Sequence, residues 1–128
     1  MILDEEAEDD VCYVCTFLGY VAAQTNNYVS DIVHQLSEQE IARQLKFAHI
    51  NHCLTFEHAA SIFLRRNPIE FGNRRYNDSQ QPTFLDMGEI YTVLVTRYLA
   101  RYKDASVEKA IRVILQSDLI NSLKEFSI

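Results

Sequence analysis

Apolar residues recur along most of the chain at spacings of three and four, which is the pattern of amphipathic helices. The first such segment carries two parallel apolar stripes, made up of Val11, Val14, Cys15, Leu18 and Val21 in one and Tyr13, Phe17 and Tyr20 in the other. This spacing predicts a helix from Glu8 to Gln24. The pair Asn26-Asn27 predicts its end, and a short helical segment around Ile32 follows.

Several later helices are predicted from residues that cap a helix N-terminus. Ser37 and Glu40 have the spacing of a capping box, and the apolar stripe behind them predicts a helix to about Cys53. Thr55 predicts the start of another helix. That helix should end before Asn67-Pro68, because a residue that precedes proline avoids the helical region.

The second half of the chain predicts one loop and two further helices. Residues 67–82 form the only long polar stretch. Residues 83–86 (TFLD) are a second capping-box candidate, and the apolar composition of the helix behind them, to about Lys103, is typical of a central, well-covered helix. A last helix is predicted from Ser106, and its stripe changes register near Ser117-Asp118.

The chain as a whole predicts an all-α fold, a single-domain irregular helical bundle of about five to seven helices. It has three Gly, two Pro and no hairpin signal between strand-like segments, which disfavours an antiparallel sheet. A length of 128 residues, with 48% hydrophobic and 23% charged residues, suits one hydrophobic core. No repeat of solenoid-like period is present.

The sequence also predicts the cellular compartment of the chain. No apolar run reaches the length of about 18–20 residues that a membrane-spanning helix needs, and no signal-peptide pattern precedes the first helix. The chain has three cysteines, an odd number that does not suggest a disulfide framework. We therefore expect reduced thiols, no membrane association and a cytoplasmic location.

Negative charge is concentrated at the start of the chain. The net charge is -6, and six of the 18 acidic residues, namely Asp4, Glu5, Glu6, Glu8, Asp9 and Asp10, lie within the first ten residues, which contain no basic residue. The other residues carry 12 acidic and 12 basic side chains and are neutral overall. We therefore divide the chain into an acidic segment, residues 1–10, and a helical domain, residues 11–128. Such a segment can steer a basic partner, although acids at a helix N-terminus also simply favour the helix.

Three tyrosines add a second candidate interaction surface. Tyr91, Tyr98 and Tyr102 fall on one face of the predicted helix, beside Arg97 and Arg101. Tyrosine and arginine are favoured anchors at protein interfaces, so these tyrosines and the six acidic residues are the candidate partner-binding set. The alternative is that the tyrosine stripe forms the edge of the hydrophobic core.

A cluster of cysteines and histidines suggests an alternative function, that of a metal-binding or small regulatory helical protein. Cys12, Cys15, His49, His52 and Cys53 offer the thiolates and imidazoles that zinc prefers. However, the first two cysteines lie within an apolar helical stripe, where small buried thiols account for them without a metal. The main prediction therefore includes no metal and no other cofactor.

A different alternative rests on two residues of one predicted helix. Arg43 is followed by five residues and then by His49. This pair resembles the arginine and histidine of the ribonuclease motif in the HEPN family of compact helical domains. The resemblance implies that Arg43 stabilises the phosphate and that His49 transfers protons, with the two side chains in one cleft at a dimer interface. In place of the family's frequent Asn, Asp or His after the arginine, this chain has Gln44.

An arginine cluster raises the question of nucleic-acid binding. Arg65, Arg66, Arg74 and Arg75 lie close together in the sequence and precede Tyr76, which could stack on a base. The net negative charge argues against direct nucleic-acid binding. The sequence contains no glycine-rich phosphate loop and no nucleophile elbow, which makes an enzyme the less favoured interpretation.

The function that the sequence favours is therefore a non-enzymatic protein-binding module. Immunity proteins and antitoxins, many of which inhibit basic nuclease toxins through complementary charge, are the analogy that fits a small acidic helical protein. The expected partner is a basic protein, and a homodimer is compatible with the sequence.

Overall fold

Seven helices make up the part of the chain that our computed structural model describes, residues 3–74 and 84–117. They are α1 (Glu5–Gln24), α2 (Val29–His34), α3 (Glu38–Lys46), α4 (Ala48–Asn51), α5 (Phe56–Arg66), α6 (Phe84–Arg101) and α7 (Val107–Gln116). No strand occurs in these two ranges. The all-α class and the predicted number of helices are confirmed.

The central helix of the bundle is α1, which contacts each of the other six helices. Its two apolar stripes make this possible, because they bury side chains such as Val14 and Leu18 on more than one side. The prediction that the helix after position 83 would be central was wrong. α6 packs on α1 and α7 but leaves Ile90 and Val93 42% and 50% exposed.

Helix α1 begins three residues earlier than the sequence predicted. The Asp4 side chain caps it by accepting a hydrogen bond from the backbone N–H of Ala7 at 2.8 Å. The acidic residues of the first turn, from Glu5 onward, lie where the helix dipole favours negative charge. The helix runs without a break through Asp10, and Leu3 is already buried in the core. The acidic residues are therefore the first turns of the central helix.

The predicted end of α1 at the asparagine pair is confirmed. Asn26 adopts a left-handed conformation with φ of 56°, which asparagine tolerates better than most side chains. The backbone N–H of Asn27 donates to the carbonyl of Ala22 at 2.9 Å, and that of Asn26 donates to the carbonyl of Ala23 at 3.3 Å. These two bonds form a Schellman motif, which satisfies carbonyls at the helix end.

The helix predicted to run from Ser37 to Cys53 is broken in two. Phe47 has φ of -102° and ψ of 8°, and it separates α3 from α4. Ala48 and His52 both follow the break and stay in helical register, since the backbone N–H of His52 donates to the carbonyl of Ala48 at 2.9 Å. Ala48 is buried, whereas His52 at the end of α4 is exposed.

Helix α5 starts and ends where the sequence predicted. The Thr55 side chain accepts a hydrogen bond from the backbone N–H of His58 at 3.1 Å, and Asn67 is extended. The first residues of the predicted 67–82 loop are then held against the end of α1. The backbone N–H groups of Gly72 and Arg74 donate to carbonyls of the Thr25-Asn26 pair at 2.9 and 2.8 Å. Residues 75–82 lie outside the described residues.

The last two helices complete the core. Gly88 of α6 lies so close to α1 that an added Cβ would overlap the Thr16 hydroxyl oxygen. The predicted cap of α7 is confirmed, since the Ser106 side chain accepts a hydrogen bond from the backbone N–H of Lys109 at 3.2 Å. The predicted cap at Thr83 and the register change after Ser117 fall outside the described residues.

Candidate functional site

A groove with a volume of about 560 Å³ lies between the first half of α1 and the segment that runs from α4 to the start of α5. We call it the acidic groove. Its lining residues are Glu6, Asp9, Asp10, Cys12, Tyr13 and Thr16 from α1, together with His49, His52, Leu54 and Phe56. Its volume falls within the range of about 300–1,000 Å³ that is typical of ligand sites in proteins.

The acidic rim of the groove comes from one face of α1. Glu6, Asp9 and Asp10 line the groove, and their spacing of three and four residues places them on the same side of the helix. Glu5 and Glu8 are exposed on the same turns but do not line the groove. The sequence prediction treated all the acids as one segment. The helical spacing was the signal that could have separated them, once the helix is extended back to Glu5.

The floor of the groove is aromatic and held in place. The ring of Tyr13 lies 4.3 Å from that of His52 and 5.8 Å from that of Phe56, measured between centroids. The Tyr13 hydroxyl donates a hydrogen bond to the backbone carbonyl of Asn51 at 3.3 Å. Burial raises the pKa of Tyr13, so the hydroxyl keeps its proton and remains a donor at neutral pH.

The groove combines groups that suit a cationic side chain. Within residues 3–74 and 84–117, no basic side chain forms an ion pair with Glu6, Asp9 or Asp10. Carboxylates bind guanidinium and ammonium groups through charge-assisted hydrogen bonds, and aromatic faces attract the same cations. An arginine or lysine side chain from another molecule would meet both in this groove.

The three candidate tyrosines do not form one surface. Tyr91 is 1% exposed and belongs to the core, because it shares the inner stripe of α6 with Val95 and Leu99. The Tyr98 ring is partly buried and packs against that of Tyr102, with 4.6 Å between centroids. Tyr102 is 49% exposed. None of the three lines the acidic groove, so Tyr91 is corrected to a core residue.

The five residues of the metal hypothesis do not form a metal site. Among the residues that the structure describes, no group of three or more His, Cys, Asp or Glu side chains could hold a metal ion. Cys15 is fully buried in the core, and both this burial and the neighbouring Cys12 raise its pKa, so it stays a thiol. Cys53 is exposed and does not line the groove that contains His49 and His52.

The two residues of the ribonuclease hypothesis are also separated. His49 lines the acidic groove, whereas Arg43 lines a second, smaller cavity together with Phe47. The helix break at Phe47 lies between the two residues, so Arg43 is on α3 and His49 is on α4. Within this chain the structure therefore does not bring Arg43 and His49 into one cleft.

The arginine cluster is partly engaged within the chain. The Nε atom of Arg66 lies 3.5 Å from a carboxylate oxygen of Glu40, and the Arg74 guanidinium lies 4.3 Å from the centre of the Tyr28 ring. Arg65 is exposed. Arg75 and Tyr76 lie outside the described residues.

No helix in the two described ranges is long and apolar enough to cross a membrane. Comparison with known proteins found no matching family, no similar curated protein and no similar solved structure.

Proposed function

We propose that this chain is a non-enzymatic protein-binding module whose acidic groove binds a basic segment of a partner protein. The observation that carries this proposal is the placement of Glu6, Asp9 and Asp10 along one groove with an aromatic floor. Scattered surface acids would only raise solubility. Three carboxylates that converge on one concave site concentrate the negative potential there.

The binding mode follows from the two parts of the groove. The carboxylates attract a basic partner over several ångströms and raise its association rate. The Tyr13 and Phe56 rings then provide apolar area and a cation–π contact for an inserted arginine or lysine. Ile50 follows the groove residue His49 in the sequence and is 54% exposed.

The class of partner that this mode favours is a basic protein such as a nuclease toxin, with the chain acting as an immunity-type or antitoxin-type inhibitor. Charge complementarity supports this class, because nucleases carry basic surfaces for phosphate and an acidic groove matches them. The three free cysteines are in keeping with a cytoplasmic setting, which we include in the proposal. The same carboxylates would repel nucleic acid, so direct nucleic-acid binding is not part of it.

The experiment begins with the tagged full chain as bait in its native cells, and mass spectrometry identifies the proteins that it retains. Two double variants are then compared with the wild type, E6Q/D9N in the groove and E5Q/E8Q on the same turns outside it. Both remove two charges, so they carry the same net charge. We expect E6Q/D9N to lower the association rate of the captured basic protein and to flatten its salt dependence.

The control variant, E5Q/E8Q, shows whether partner binding depends on the carboxylates in the groove or only on the total charge. E5Q/E8Q should bind nearly as the wild type does, because its substituted side chains lie outside the groove. Equal losses in both variants would mean that only total charge counts. Unchanged binding by E6Q/D9N would contradict the proposed site.

A further inference from the structure

A second cavity lies on the other side of α4, between α3, α4 and α5. Its volume is about 110 Å³. The floor is apolar, since Phe17 and Phe63 are 2% and 3% exposed and their rings meet edge to face with 5.5 Å between centroids. Leu54 lines both this cavity and the acidic groove and separates the two.

Two arginines from different helices line this cavity. Arg43 comes from α3 and Arg66 from the last turn of α5. Beside them, Phe47 and Ile62 add partly exposed apolar side chains. The second cavity thus has an apolar floor and a basic edge, the reverse of the acidic groove in charge.

Most of the hydrogen-bonding capacity of these arginines is not used within the described part of the chain. Arg43 contacts the Phe47 ring, with 5.6 Å from its guanidinium carbon to the ring centre. Arg66 reaches Glu40 only through Nε at 3.5 Å, whereas that carboxylate accepts closer bonds from Gln44 at 3.1 Å and Asn67 at 3.0 Å. The residues that line the cavity include two arginines and no acidic residue, and Glu40 pairs with only one of the two guanidinium groups, so the edge of the cavity keeps a net positive charge.

We infer that this cavity binds a small carboxylate that carries an apolar stem. The stem would pack on Phe17 and Phe63, and the carboxylate would accept hydrogen bonds from Arg43 and Arg66, a pairing for which guanidinium geometry is well suited. Since a water molecule takes about 30 Å³ in the liquid, the cavity has room for roughly four heavy atoms, the size of an isobutyl stem. A free carboxylic acid and the C-terminal leucine of a peptide both present this chemistry.

This inference does not depend on the proposed function, because the two cavities have different linings and opposite charge preferences. The acidic groove can fail to bind a basic partner while the second cavity binds an acid, and the reverse also holds. The two tests use different variants and different probes.

The test titrates isotope-labelled full chain with sodium isovalerate and, separately, with isovaleramide, and follows the amide and arginine Nε signals by NMR. We expect isovalerate to give saturable shifts in α3, α4 and α5, and isovaleramide, which has the same stem without the charge, to give none that saturate. N-acetyl-leucine and N-acetyl-leucinamide form a second pair that represents a peptide C-terminus. Tighter binding of N-acetyl-leucine than of isovalerate would support the inference and identify a peptide end as the better ligand.

Arginine variants locate the binding to the cavity. R43Q and R66Q should each weaken isovalerate binding by about fivefold or more, because each removes charge-assisted hydrogen bonds. R65Q is the matched control, since Arg65 is exposed in the same turn of α5 and does not line the cavity. It should bind as the wild type does. Equal binding of the acid and the amide, absence of saturation, or wild-type affinity in both R43Q and R66Q would overturn the inference.

Discussion

The ring of Tyr13 on α1 lies against the imidazole of His52, with 4.3 Å between the two ring centroids. The Tyr13 hydroxyl also donates a hydrogen bond to the backbone carbonyl of Asn51, the last residue of α4. A helix of four residues is far too short to be stable by itself, so α4 depends on tertiary contacts of this kind. The place of His49 and His52 in the acidic groove thus depends on a residue of the central helix.

Replacement of Tyr13 by phenylalanine should loosen α4. The ring contacts are kept, but the hydrogen bond to Asn51 is lost, and we expect the free energy of unfolding to fall by about 0.5–1.5 kcal/mol. Hydrogen exchange at the amides of residues 50–54 should accelerate more than elsewhere. Tyr102→Phe, at a half-exposed tyrosine of α6, serves as the control and should change stability by less than about 0.5 kcal/mol. Equal effects of the two variants would show that the Tyr13 hydroxyl does not hold α4.

Replacement of Gly88 by alanine should destabilise the protein, although the same change stabilises most helices. An alanine Cβ would overlap the Thr16 hydroxyl and lie 3.2 Å from the carbonyl oxygen of Cys12, so α1 and α6 would have to separate. We expect a net loss of about 1–2 kcal/mol by urea unfolding, after overpacking is set against the helix propensity gained. The double variant with Thr16→Ala should recover part of this loss. A more stable Gly88→Ala protein would mean that the two helices are not in close contact.

Removal of the Glu40 carboxylate should weaken the junction between α3 and the end of α5. Glu40 is 9% exposed and accepts hydrogen bonds from Gln44, Asn67 and, at longer distance, Arg66. Glu40→Ala leaves the two amides without this acceptor, and we expect a loss of about 1–3 kcal/mol in the free energy of unfolding. The Arg66 pair adds little to this figure because that side chain is half exposed. Glu38→Ala, at an exposed position of the same turn, should have almost no effect in the same denaturation series.

The three cysteines should differ widely in reactivity. Cys53 is exposed, Cys12 is partly buried and Cys15 is fully buried. Burial, with a smaller effect of Cys12, raises the pKa of Cys15 above its ordinary value and keeps it protonated, and the thiolate is the reactive form. Timed alkylation with mass spectrometry should label Cys53 first, Cys12 more slowly and Cys15 only after unfolding. Labelling of Cys15 at the rate of Cys53 in the native protein would contradict this packing.

The raised pKa of Cys15 also predicts how stability depends on pH. The folded protein keeps a proton that the unfolded chain releases above the ordinary thiol pKa of 9.0. The unfolded state then binds fewer protons, so the free energy of unfolding should fall as the pH rises above that value. Urea unfolding at about pH 8 and about pH 10 measures this slope, and Cys15→Ala should reduce it relative to the wild type. An identical slope in the variant would exclude Cys15 as its source.

Several features of the fold could be predicted from the sequence because they depend on neighbours along the chain. A cap at Ser37, Thr55 or Ser106 is a hydrogen bond between residues three positions apart, so the side-chain acceptor and its backbone N–H donor are fixed together. The end of α1 at Asn26 has the same local origin. The buried stripes of the individual helices likewise follow from periodicity, which is why the all-α class was predictable.

Only one of the two hydrogen bonds predicted for the Ser37 capping box is present. Ser37 accepts from the Glu40 backbone N–H as predicted, but the Glu40 carboxylate bonds to Gln44, Asn67 and Arg66 instead of reaching back. Two of these three partners lie more than 25 positions away in the sequence. A pattern of residues within one helix cannot predict these two distant partners.

The acidic residues show the same difference between local and long-range determinants. The sequence alone determined that negative charge is concentrated before position 11, and that acids there suit the start of a helix. Only the tertiary structure decided that Glu6, Asp9 and Asp10 line a groove while Glu5 and Glu8 do not, and that Arg43 shares a cavity with Arg66 and not with His49. The physical reason is that helix position and helix breaks are set by long-range packing, here of α4 and α5 on α1, whereas charge and periodicity are properties of the chain itself.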